Sequence, residues 1–512
     1  QFMVQMVMKG YIGDKAGQGF YRKDKTSGQI MVFDPAKFDY RTKINFSTPS
    51  LEEAARIFDP AERIRHITFA NDQAGEIAWP VIASTLVYAA NRIPEISDDI
   101  VSVDSAMRWG YHWELGPFET WDALGIHEVV KRLEKSGNEV PTLVLGLLKS
   151  GHESFYEWRN DKKYYFDFAT EKPSPIVNFD KQISIEIIKK SRGIVEENSG
   201  ASLIDAGDGI FICEFHTKMN AIDGDIIKMV CASIDRVEKE GIGLLIANDG
   251  EQFSVGANLL LILMASQQKR WHEIDALVKE FQAMSERIRF AGRPVIAVPF
   301  GMALGGGCEI CLAANKRVAS VETYIGLVEM GAGVIPAGGG CKNLILRMEE
   351  YTKPRGGPQP KVNAAFEMIA TARVSQSARD AMQMGMLVSG DVIVMDRERL
   401  LYEAKCSLKE FSKNYVPPVK RDDIELPGRG GEMALHNAIR GFMAQGKASE
   451  YDALIARRLA HVLTGGDVPT IHTTSEKHIL DLEREAFLSL VGEPKTQERM
   501  MNLLQTGKPL RN

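Results

Sequence analysis

A short segment in the second half of the chain combines residue types that could stabilise an oxyanion beside an acid/base group. The apolar run at residues 294–298 predicts a buried strand, and three glycines at residues 305–307 interrupt the chain soon after it. Glycine lets a ligand approach the backbone closely, and the residues that follow predict a helix start with unpaired N–H groups. Glu309 lies three residues after Gly306, so on a helix the two would share a face. The segment therefore predicts one pocket that presents an amide donor and a carboxylate.

Two further segments carry a similar combination of glycine and polar groups. The sequence FSVGANL at residues 253–259 predicts a strand end and a glycine turn that lead into an apolar helix. Residues 326–340 bring a second carboxylate, Glu329, ahead of another glycine-rich turn. Glu309 and Glu329 are twenty residues apart, too far for one helix face, so only the fold could bring them together. A glutamate is most often a solvated surface charge, but the surroundings of both residues favour the acid/base interpretation.

In their order and spacing, the three segments resemble the crotonase (enoyl-CoA hydratase/isomerase) superfamily. The resemblance implies an α/β fold built as a spiral of ββα repeats. It also implies that backbone N–H groups of Ala257 and Gly306 hold a thioester oxygen, and that a catalytic pair, Glu309 and Glu329, grips one water. Contacts to the substrate or its CoA end are implied for Met219, Asn220, Ala221, Asn258 and Leu259.

The sequence departs from the family pattern at two positions in FSVGANL. Asn258 stands where an aspartate is usual, and Val255 stands where a small residue is usual. The oxyanion donor is a backbone group of Ala257, so the resemblance still implies the same chemistry. Asn220 could alternatively belong to an ordinary asparagine turn that has no binding role.

The first third of the chain resembles a different family. Residues 10–21 and 109–125 resemble two copies of the C-terminal helical domain of 3-hydroxyacyl-CoA dehydrogenases. The glycines of the first copy could suggest a phosphate loop, but neither the preceding strand nor the following Lys-Ser/Thr is present. His112 in the second copy could be catalytic, but the dehydrogenase histidine belongs to the preceding domain of that family, which favours a packing role.

The G-x-G-x-x-G motif that a nicotinamide-binding domain requires does not occur in this sequence. The chain opens at Gln1 within a predicted helix, so we expect it to be a piece of a longer polypeptide with such a domain upstream. The resemblance therefore implies NAD only for that missing domain and no cofactor for this chain. CoA would enter as part of the substrate.

These resemblances, together with the polar and proline- or glycine-rich stretches between predicted elements, predict four regions. Residues 1–50 would be the end of a first dehydrogenase C-terminal domain followed by a linker from about residue 25, and residues 51–175 a second, all-α copy. Residues 176–400 would form the crotonase core, and residues 401–512 a C-terminal helical region.

The composition is that of an ordinary globular protein, with 44% hydrophobic and 25% charged residues among 512. The formal net charge of −6 gives no reason to expect a nucleic acid or an anionic membrane as partner. No apolar run approaches the roughly 20 residues that a membrane-spanning helix needs.

The six cysteines allow two interpretations at one place. Cys308 and Cys311 have the C-x-x-C spacing of a redox pair, but their position in the glycine–helix segment favours small buried core residues. No cluster of cysteine and histidine suggests a zinc site or any other metal site. Scattered cysteines fit a reducing, cytoplasmic setting.

Three functional hypotheses follow. The first is an enoyl-CoA hydratase module of a bifunctional fatty-acid β-oxidation enzyme, which adds water to trans-2-enoyl-CoA to give 3-hydroxyacyl-CoA, with dehydrogenase activity only in the longer parent. The second is Δ3-Δ2-enoyl-CoA isomerisation at the same site, for which one base would suffice. The third is a non-catalytic CoA-binding or scaffold fragment. The expected partners are an acyl-CoA thioester, and a second copy of the chain or a thiolase.

Overall fold

The computed structural model describes residues 2–24, 27–44, 46–57, 59–111, 113–159, 162–176, 181–352 and 358–512. The chain divides into an N-terminal unit, Gln1–Val177, and a C-terminal unit, Asn178–Asn512. His112, with its two alternative roles, lies outside the described residues. No helix in the described ranges combines the length and the apolar character that crossing a membrane requires.

The N-terminal unit contains helices and two small antiparallel sheets. Its elements are α1 (Phe2–Met8), β1 (Tyr21–Lys23), β2 (Ile30–Asp34), β3 (Asp39–Thr42), α2 (Pro49–Ala54), α3 (Pro60–Thr68), α4 (Gln73–Ala90), α5 (Ile100–Tyr111), α6 (Pro117–Leu124), α7 (Ile126–Lys135), α8 (Thr142–Lys149), β4 (Tyr156–Arg159), β5 (Lys162–Asp167) and β6 (Lys172–Pro175).

The first sheet, in the order β1-β2-β3, occupies part of the stretch predicted as a linker at residues 25–50. The ring of Phe33 on β2 packs against Phe38 and Tyr40, with centroids 5.0 and 5.5 Å apart. Aromatic pairs of this kind stabilise strands by burying large apolar surfaces across the sheet. The linker is thus replaced by two strands in this part of the chain.

The second sheet, β4-β5-β6, corrects the expectation of an all-α domain over residues 51–175. Phe155, just before β4, and Phe166 on β5 are buried in the same core as Phe118 and Trp121 of α6. The ring centroids of Phe118 and Phe155 lie 5.1 Å apart. The strands form because their aromatic side chains complete the core that the helices leave open.

The C-terminal unit contains the segments predicted to carry chemistry. Its elements are α9 (Ile185–Arg192), β7 (Ile194–Glu197), β8 (Ala201–Asp205), β9 (Ile210–Phe215), α10 (Gly224–Glu240), β10 (Gly243–Ile246), α11 (Leu259–Gln267), α12 (Trp271–Arg289), β11 (Val295–Ala297), β12 (Gly301–Leu304), α13 (Gly306–Ala313), β13 (Lys316–Ser320), β14 (Thr323–Gly326), α14 (Gly340–Tyr351), α15 (Pro360–Ala370), α16 (Ala378–Gln383), β15 (Val392–Val394), α17 (Leu400–Ser412), β16 (Ile424–Leu426), α18 (Gly428–Ala444), α19 (Glu450–Leu463), β17 (His472–Thr474), α20 (Glu476–Val491) and α21 (Pro494–Thr506).

The main sheet of this unit has the strand order β15-β13-β11-β10-β9-β8-β7. The strands from β15 to β9 run parallel, and β8 and β7 extend that sheet in antiparallel fashion. Every residue of β9, β10 and β11 is buried, as expected of parallel strands covered on both faces. Strands β12 and β14 pair in parallel in a separate two-stranded sheet. The alternation of strands with helices agrees with the predicted α/β layering.

The C-terminal helices pack onto this α/β body. Helix α20 contacts α12, α14 and α19, and α21 contacts α11 and a 3₁₀ turn at Glu329–Ala332. Helix α20 begins after Ser475, whose hydroxyl accepts the N–H of His478. Its apolar stripe is buried: Ile479, Leu482, Ala486, Phe487 and Leu490. The helix thus reaches the glycine-rich turn that begins α14.

Candidate active site

Isolated backbone bridges join three segments of the C-terminal unit: the loop before α10, the FSVGANL segment and β12. Ser254 pairs with Ala303, and Ile222 pairs with Ala257, so the FSVGANL segment forms bridges rather than a strand. The buried Ser254 hydroxyl donates to the carbonyl of Asn220 at 2.7 Å and accepts the N–H of Gly256 at 3.2 Å. These bonds fix the loop before α10, the glycine turn and the start of α13 against one another.

The backbone N–H groups of Ala257 and Gly306 meet where these loops converge. A Cβ atom at Gly306 would lie 3.3 Å from the nitrogen of Ala257, and one at Gly256 would lie 3.3 Å from the nitrogen of Gly306. Within the part of the chain that the structure describes, neither N–H group donates to a protein acceptor. Gly306 opens α13, where the first N–H groups of a helix have no intrahelical partner. Two N–H groups without a protein acceptor therefore lie close together at this place, as an oxyanion site requires.

Glu309 lies in the first turn of α13 and is only 4% exposed. Its Oε1 accepts the N–H groups of Gly338 and Gly340, each at 2.8 Å, from the glycine turn that begins α14. Burial raises the pKa of this carboxyl, while the two N–H donors lower it, and the outcome is about 7. Both donors use the same oxygen, so Oε2 takes part in neither bond.

Glu329 begins the 3₁₀ turn that follows β14. A Cβ atom at Gly305 would lie 3.5 Å from its Oε1, which places this carboxyl beside the glycines that precede Glu309. Both of its oxygens are buried, and neither has a hydrogen-bond partner among the described residues. Burial and the charge of Glu309 raise the pKa of Glu329 well above its usual value. The fold thus brings both predicted glutamates to the same place.

A third carboxyl, Glu483 on α20, was not found by sequence reasoning. It is fully buried, and its Oε2 accepts the N–H of Gly339 at 3.0 Å. Its Oε1 accepts the N–H of Lys342 at 2.6 Å, and burial together with the charge of Glu309 raises its pKa. The signal that could have indicated it is a glutamate at helical spacing among the apolar residues of α20, since a glutamate is rarely buried without a specific partner.

The residues predicted to contact the substrate or its CoA end lie on the same loops. Met219 and Asn220 have positive φ angles of 56° and 52°, and the carbonyl of Met219 accepts the N–H of Val255. The side chain of Asn220 is buried and donates to a backbone carbonyl, and the side chain of Asn258 caps α11. The remaining members of the predicted set flank these residues: Ala221 and Leu259. The two asparagine side chains thus have structural partners.

The cysteines of the C-x-x-C spacing, Cys308 and Cys311, are both buried and reduced. Burial raises the pKa of the Cys311 thiol to about 12. A thiol held in this neutral form is a poor nucleophile. The interpretation of the two residues as part of the core is confirmed.

Comparisons with known proteins agree with this geometry. Residues 205–389 match the family described as Enoyl-CoA hydratase/isomerase, so the C-terminal unit contains a crotonase-family domain. The chain is 41% identical over 512 residues to a "Probable 3-hydroxyacyl-CoA dehydrogenase" of Bacillus subtilis (strain 168), a match that covers 100% of this chain and 64% of that protein.

Two other relatives carry related names. A "Putative fatty acid oxidation complex trifunctional enzyme" of Rickettsia felis is 26% identical over 505 residues, which cover 98% of this chain and 62% of that protein. A "Probable enoyl-CoA hydratase" of Bacillus subtilis (strain 168) is 28% identical over 196 residues, which cover 38% of this chain and 69% of that protein. The chain therefore spans less than two thirds of the length of the two relatives that match it throughout.

Proposed function

We propose that the C-terminal unit hydrates 2-enoyl-CoA thioesters to 3-hydroxyacyl-CoA. The observation that carries this proposal is the meeting of two free backbone donors with two buried carboxyls, of which one is held by N–H groups and the other is not. Hydration needs these groups, because an enolate forms while one proton leaves water and another reaches carbon.

The thioester carbonyl oxygen would accept the N–H groups of Ala257 and Gly306. Attack of water at C3 moves the electron pair of the double bond toward this oxygen, which becomes an enolate oxygen. Donors that already point at this position stabilise the developing charge without having to reorganise. In other enzymes, the loss of one such donor lowers the rate by ~10²–10³.

Glu309 would act as the base on the attacking water. Its Oε1 is engaged by the N–H groups of Gly338 and Gly340, which leaves Oε2 to accept a hydrogen from the water. A pKa of about 7 keeps a large fraction of this carboxyl charged near neutral pH. The water oxygen bonds to C3 as its proton passes to Glu309.

Glu329 would supply the proton that reaches C2. Its raised pKa keeps it protonated near neutral pH, because burial and the neighbouring negative charge both disfavour its ionised form. When it gives its proton to C2, the enolate returns to a thioester carbonyl. The site then holds a neutral Glu309 and a charged Glu329, and exchange of one proton with solvent restores the starting state.

The names of the relatives support a wider proposal for the parent protein. We propose that it is a bifunctional fatty-acid β-oxidation enzyme that also oxidises the 3-hydroxyacyl-CoA product with NAD. The N-terminal unit of this chain would then be the helical part of the dehydrogenase. A cytoplasmic setting, self-association and a thiolase partner remain predictions that stand with this proposal.

Isomerisation of a 3-enoyl-CoA at the same site is a second candidate function. In its ionised form, a buried carboxyl without a hydrogen-bond partner, such as Glu329, can take a proton from C2 and return it to C4 without using the second carboxyl. The oxyanion donors would serve both reactions, since each passes through an enolate. The two reactions differ in whether water is added, so their products distinguish them.

The test is to mix the chain with crotonyl-CoA and follow the loss of ultraviolet absorbance of the conjugated thioester. Hydration by the wild type and a loss of ~10²–10⁴-fold in both Glu309→Gln and Glu329→Gln are expected, the usual contribution of an acid or base. Glu322→Gln, an exposed glutamate close to Glu329 in the chain, is the matched control and should retain full activity.

Other outcomes favour the other hypotheses. Gain of conjugated absorbance from a 3-enoyl-CoA, without hydration of crotonyl-CoA, would support the isomerase. Binding of an acyl-CoA without turnover of either substrate would support a scaffold. Equal activity of the wild type and both glutamine variants would rule out the assigned acid and base.

A further inference from the structure

The turn that begins α14 distributes its backbone N–H groups between two carboxylates in alternation. Gly338 and Gly340 donate to Glu309, whereas Gly339 and Lys342 donate to Glu483. We propose that Glu483 is a positioning residue that holds this turn in place so that its other two N–H groups fix Glu309. The inference rests on the proposed function in taking Glu309 as the base.

Glu483 has no side-chain cation as a hydrogen-bond partner among the described residues. The nearest candidate is Lys342, which is fully buried, but its Nζ donates to Glu286 at 2.6 Å and to Glu476 at 3.0 Å. A buried carboxylate is costly unless it is well bonded, so its two bonds to the turn are its principal stabilisation. A residue that served only to balance Lys342 would instead accept from the Nζ.

The turn leaves no room for a small displacement. Gly339 has a φ of +109°, and a Cβ atom at Gly338 would lie 2.2 Å from a ring carbon of Phe281 and 2.7 Å from Oε2 of Glu309. A Cβ atom at Gly340 would lie 2.8 Å from Oε1 of Glu309. There is therefore no space for even one added methyl group between this turn and its neighbours, so a shift of the turn moves the donors of Glu309 or the carboxyl itself.

Replacement of Glu483 by glutamine distinguishes two ways in which this residue could affect the pKa of Glu309, by holding the turn in place or by its charge. Gly339 and Lys342 donate to different oxygens of Glu483, so in the same position a glutamine would place its NH₂ group against one of these two donors. The released turn would weaken its bonds to Glu309, and loss of those donors raises the pKa of Glu309. The acidic limb of the pH–rate profile would then move to higher pH. A substitution that acted only by removing negative charge near Glu309 would instead move the limb to lower pH.

The experiment measures kcat, KM and the pH dependence of kcat/KM with crotonyl-CoA for the wild type, Glu483→Gln, Glu483→Asp and Glu485→Gln. We expect Glu483→Gln to lower kcat by about 10- to 100-fold with little change in KM, because a misplaced catalytic group affects the chemical step. Glu483→Asp keeps both acceptor oxygens and should recover part of the loss. Glu485 lies on the exposed side of α20, so Glu485→Gln should behave as wild type.

A second measurement does not depend on activity. Amide hydrogen exchange at residues 338–342, followed by mass spectrometry, should become faster in Glu483→Gln at Gly338 and Gly340 as well as at Gly339 and Lys342. Among the described residues, the N–H groups of Gly338 and Gly340 donate to Glu309 alone, so faster exchange there would show that these two hydrogen bonds to the carboxyl have weakened.

Three results would overturn the inference. They are an acidic limb that stays in place, an acidic limb that moves to lower pH with unchanged exchange at Gly338 and Gly340, and faster exchange throughout the C-terminal unit. If Glu483→Gln does not fold, Glu483→Asp carries the same comparison at smaller amplitude. A wild type without hydratase activity would overturn the proposed function, and exchange at residues 338–342 would still decide the role of Glu483.

Discussion

Glu309 and Glu329 occupy one site but differ in what their oxygens contact. Oε1 of Glu309 accepts two backbone N–H groups, whereas both oxygens of Glu329 are buried and accept none within the described part of the chain. Two buried like charges repel strongly, so the better-bonded carboxyl carries the charge and the other keeps its proton. The proposed function uses this difference in hydrogen bonding to give each carboxyl a separate role.

The first prediction concerns the pH dependence of hydration. We expect kcat/KM for crotonyl-CoA to rise as the pH passes through about 7, because Glu309 must lose its proton to act as base. It should fall again at higher pH, as Glu329 loses the proton that it delivers to C2. The measurement is a pH–rate profile between about pH 5 and 9. A profile that declines steadily across this range would contradict the assignment of Glu309 as base.

The second prediction tests the oxyanion donors, which cannot be deleted because they are backbone groups. Gly256 has a φ of +105°, and a Cβ atom there would lie 3.2 Å from the carbonyl oxygen of Leu304 and 3.3 Å from the nitrogen of Gly306. Gly256→Ala should therefore displace one donor and lower kcat by ~10²–10³. Steady-state kinetics with crotonyl-CoA measure the effect.

The control for this variant is another glycine of the same conformation. Gly250 also has a φ of +105°, but a Cβ atom there would contact nothing within 4 Å. Gly250→Ala should carry a similar backbone strain of about 1–3 kcal/mol and keep its activity per folded molecule. Equal losses in the two variants would attribute the effect at Gly256 to strain, and the close approach of Gly306 would have no role.

The site was predictable from the sequence where its signals are local. The glycines before Glu309 predicted a helix start, and α13 begins at Gly306 with Glu309 in its first turn. The buried strand predicted at residues 294–298 is β11. These predictions succeed because a backbone turn and a helix terminus depend mainly on neighbouring residues. The meeting of Glu309 with Glu329 followed only from the family resemblance.

The long-range partners could not be predicted in this way. Glu483 is 144 residues from Gly339, and no local pattern indicates which buried turn a glutamate on a helix will contact. Asp104 in the N-terminal unit is a second example, since it accepts the N–H groups of Phe118 and Glu119 at the start of α6. A Cβ atom at Gly116 would lie 2.4 Å from Asp104, so the close approach of Asp104 requires a glycine immediately before α6.

The third prediction concerns a buried ion pair that joins β13 to the loop before β15. Asp391 accepts Nε and Nη2 of Arg317 at 2.9 and 2.7 Å, and it also accepts the N–H groups of Arg317 and Val388. Asp391→Ala leaves a buried guanidinium without its partner and should lower the free energy of unfolding by about 3–5 kcal/mol. Urea unfolding followed by circular dichroism measures the change.

The exposed pair of Arg236 and Glu240 on α10 provides the comparison for Asp391→Ala. Glu240→Ala removes one partner of an ion pair that water already screens, so its effect should stay within about 1 kcal/mol. Losses of the same size in the two variants would show that burial of the Asp391 pair contributes nothing to stability.

The last prediction separates the two carboxyls by a reaction that involves no attacking water. Butyryl-CoA has no double bond to hydrate, but the oxyanion donors and the ionised form of Glu329, which hydration also leaves behind, can together remove a C2 hydrogen and return a solvent proton through the enolate. In deuterium oxide, the wild type should exchange one C2 hydrogen of butyryl-CoA, as measured by mass spectrometry of the thioester. Glu329→Gln should abolish this exchange, because it removes the group that the proposed function assigns to that proton. Glu309→Gln should lose hydration yet retain exchange, and a variant that loses both together would assign the C2 proton to Glu309 instead.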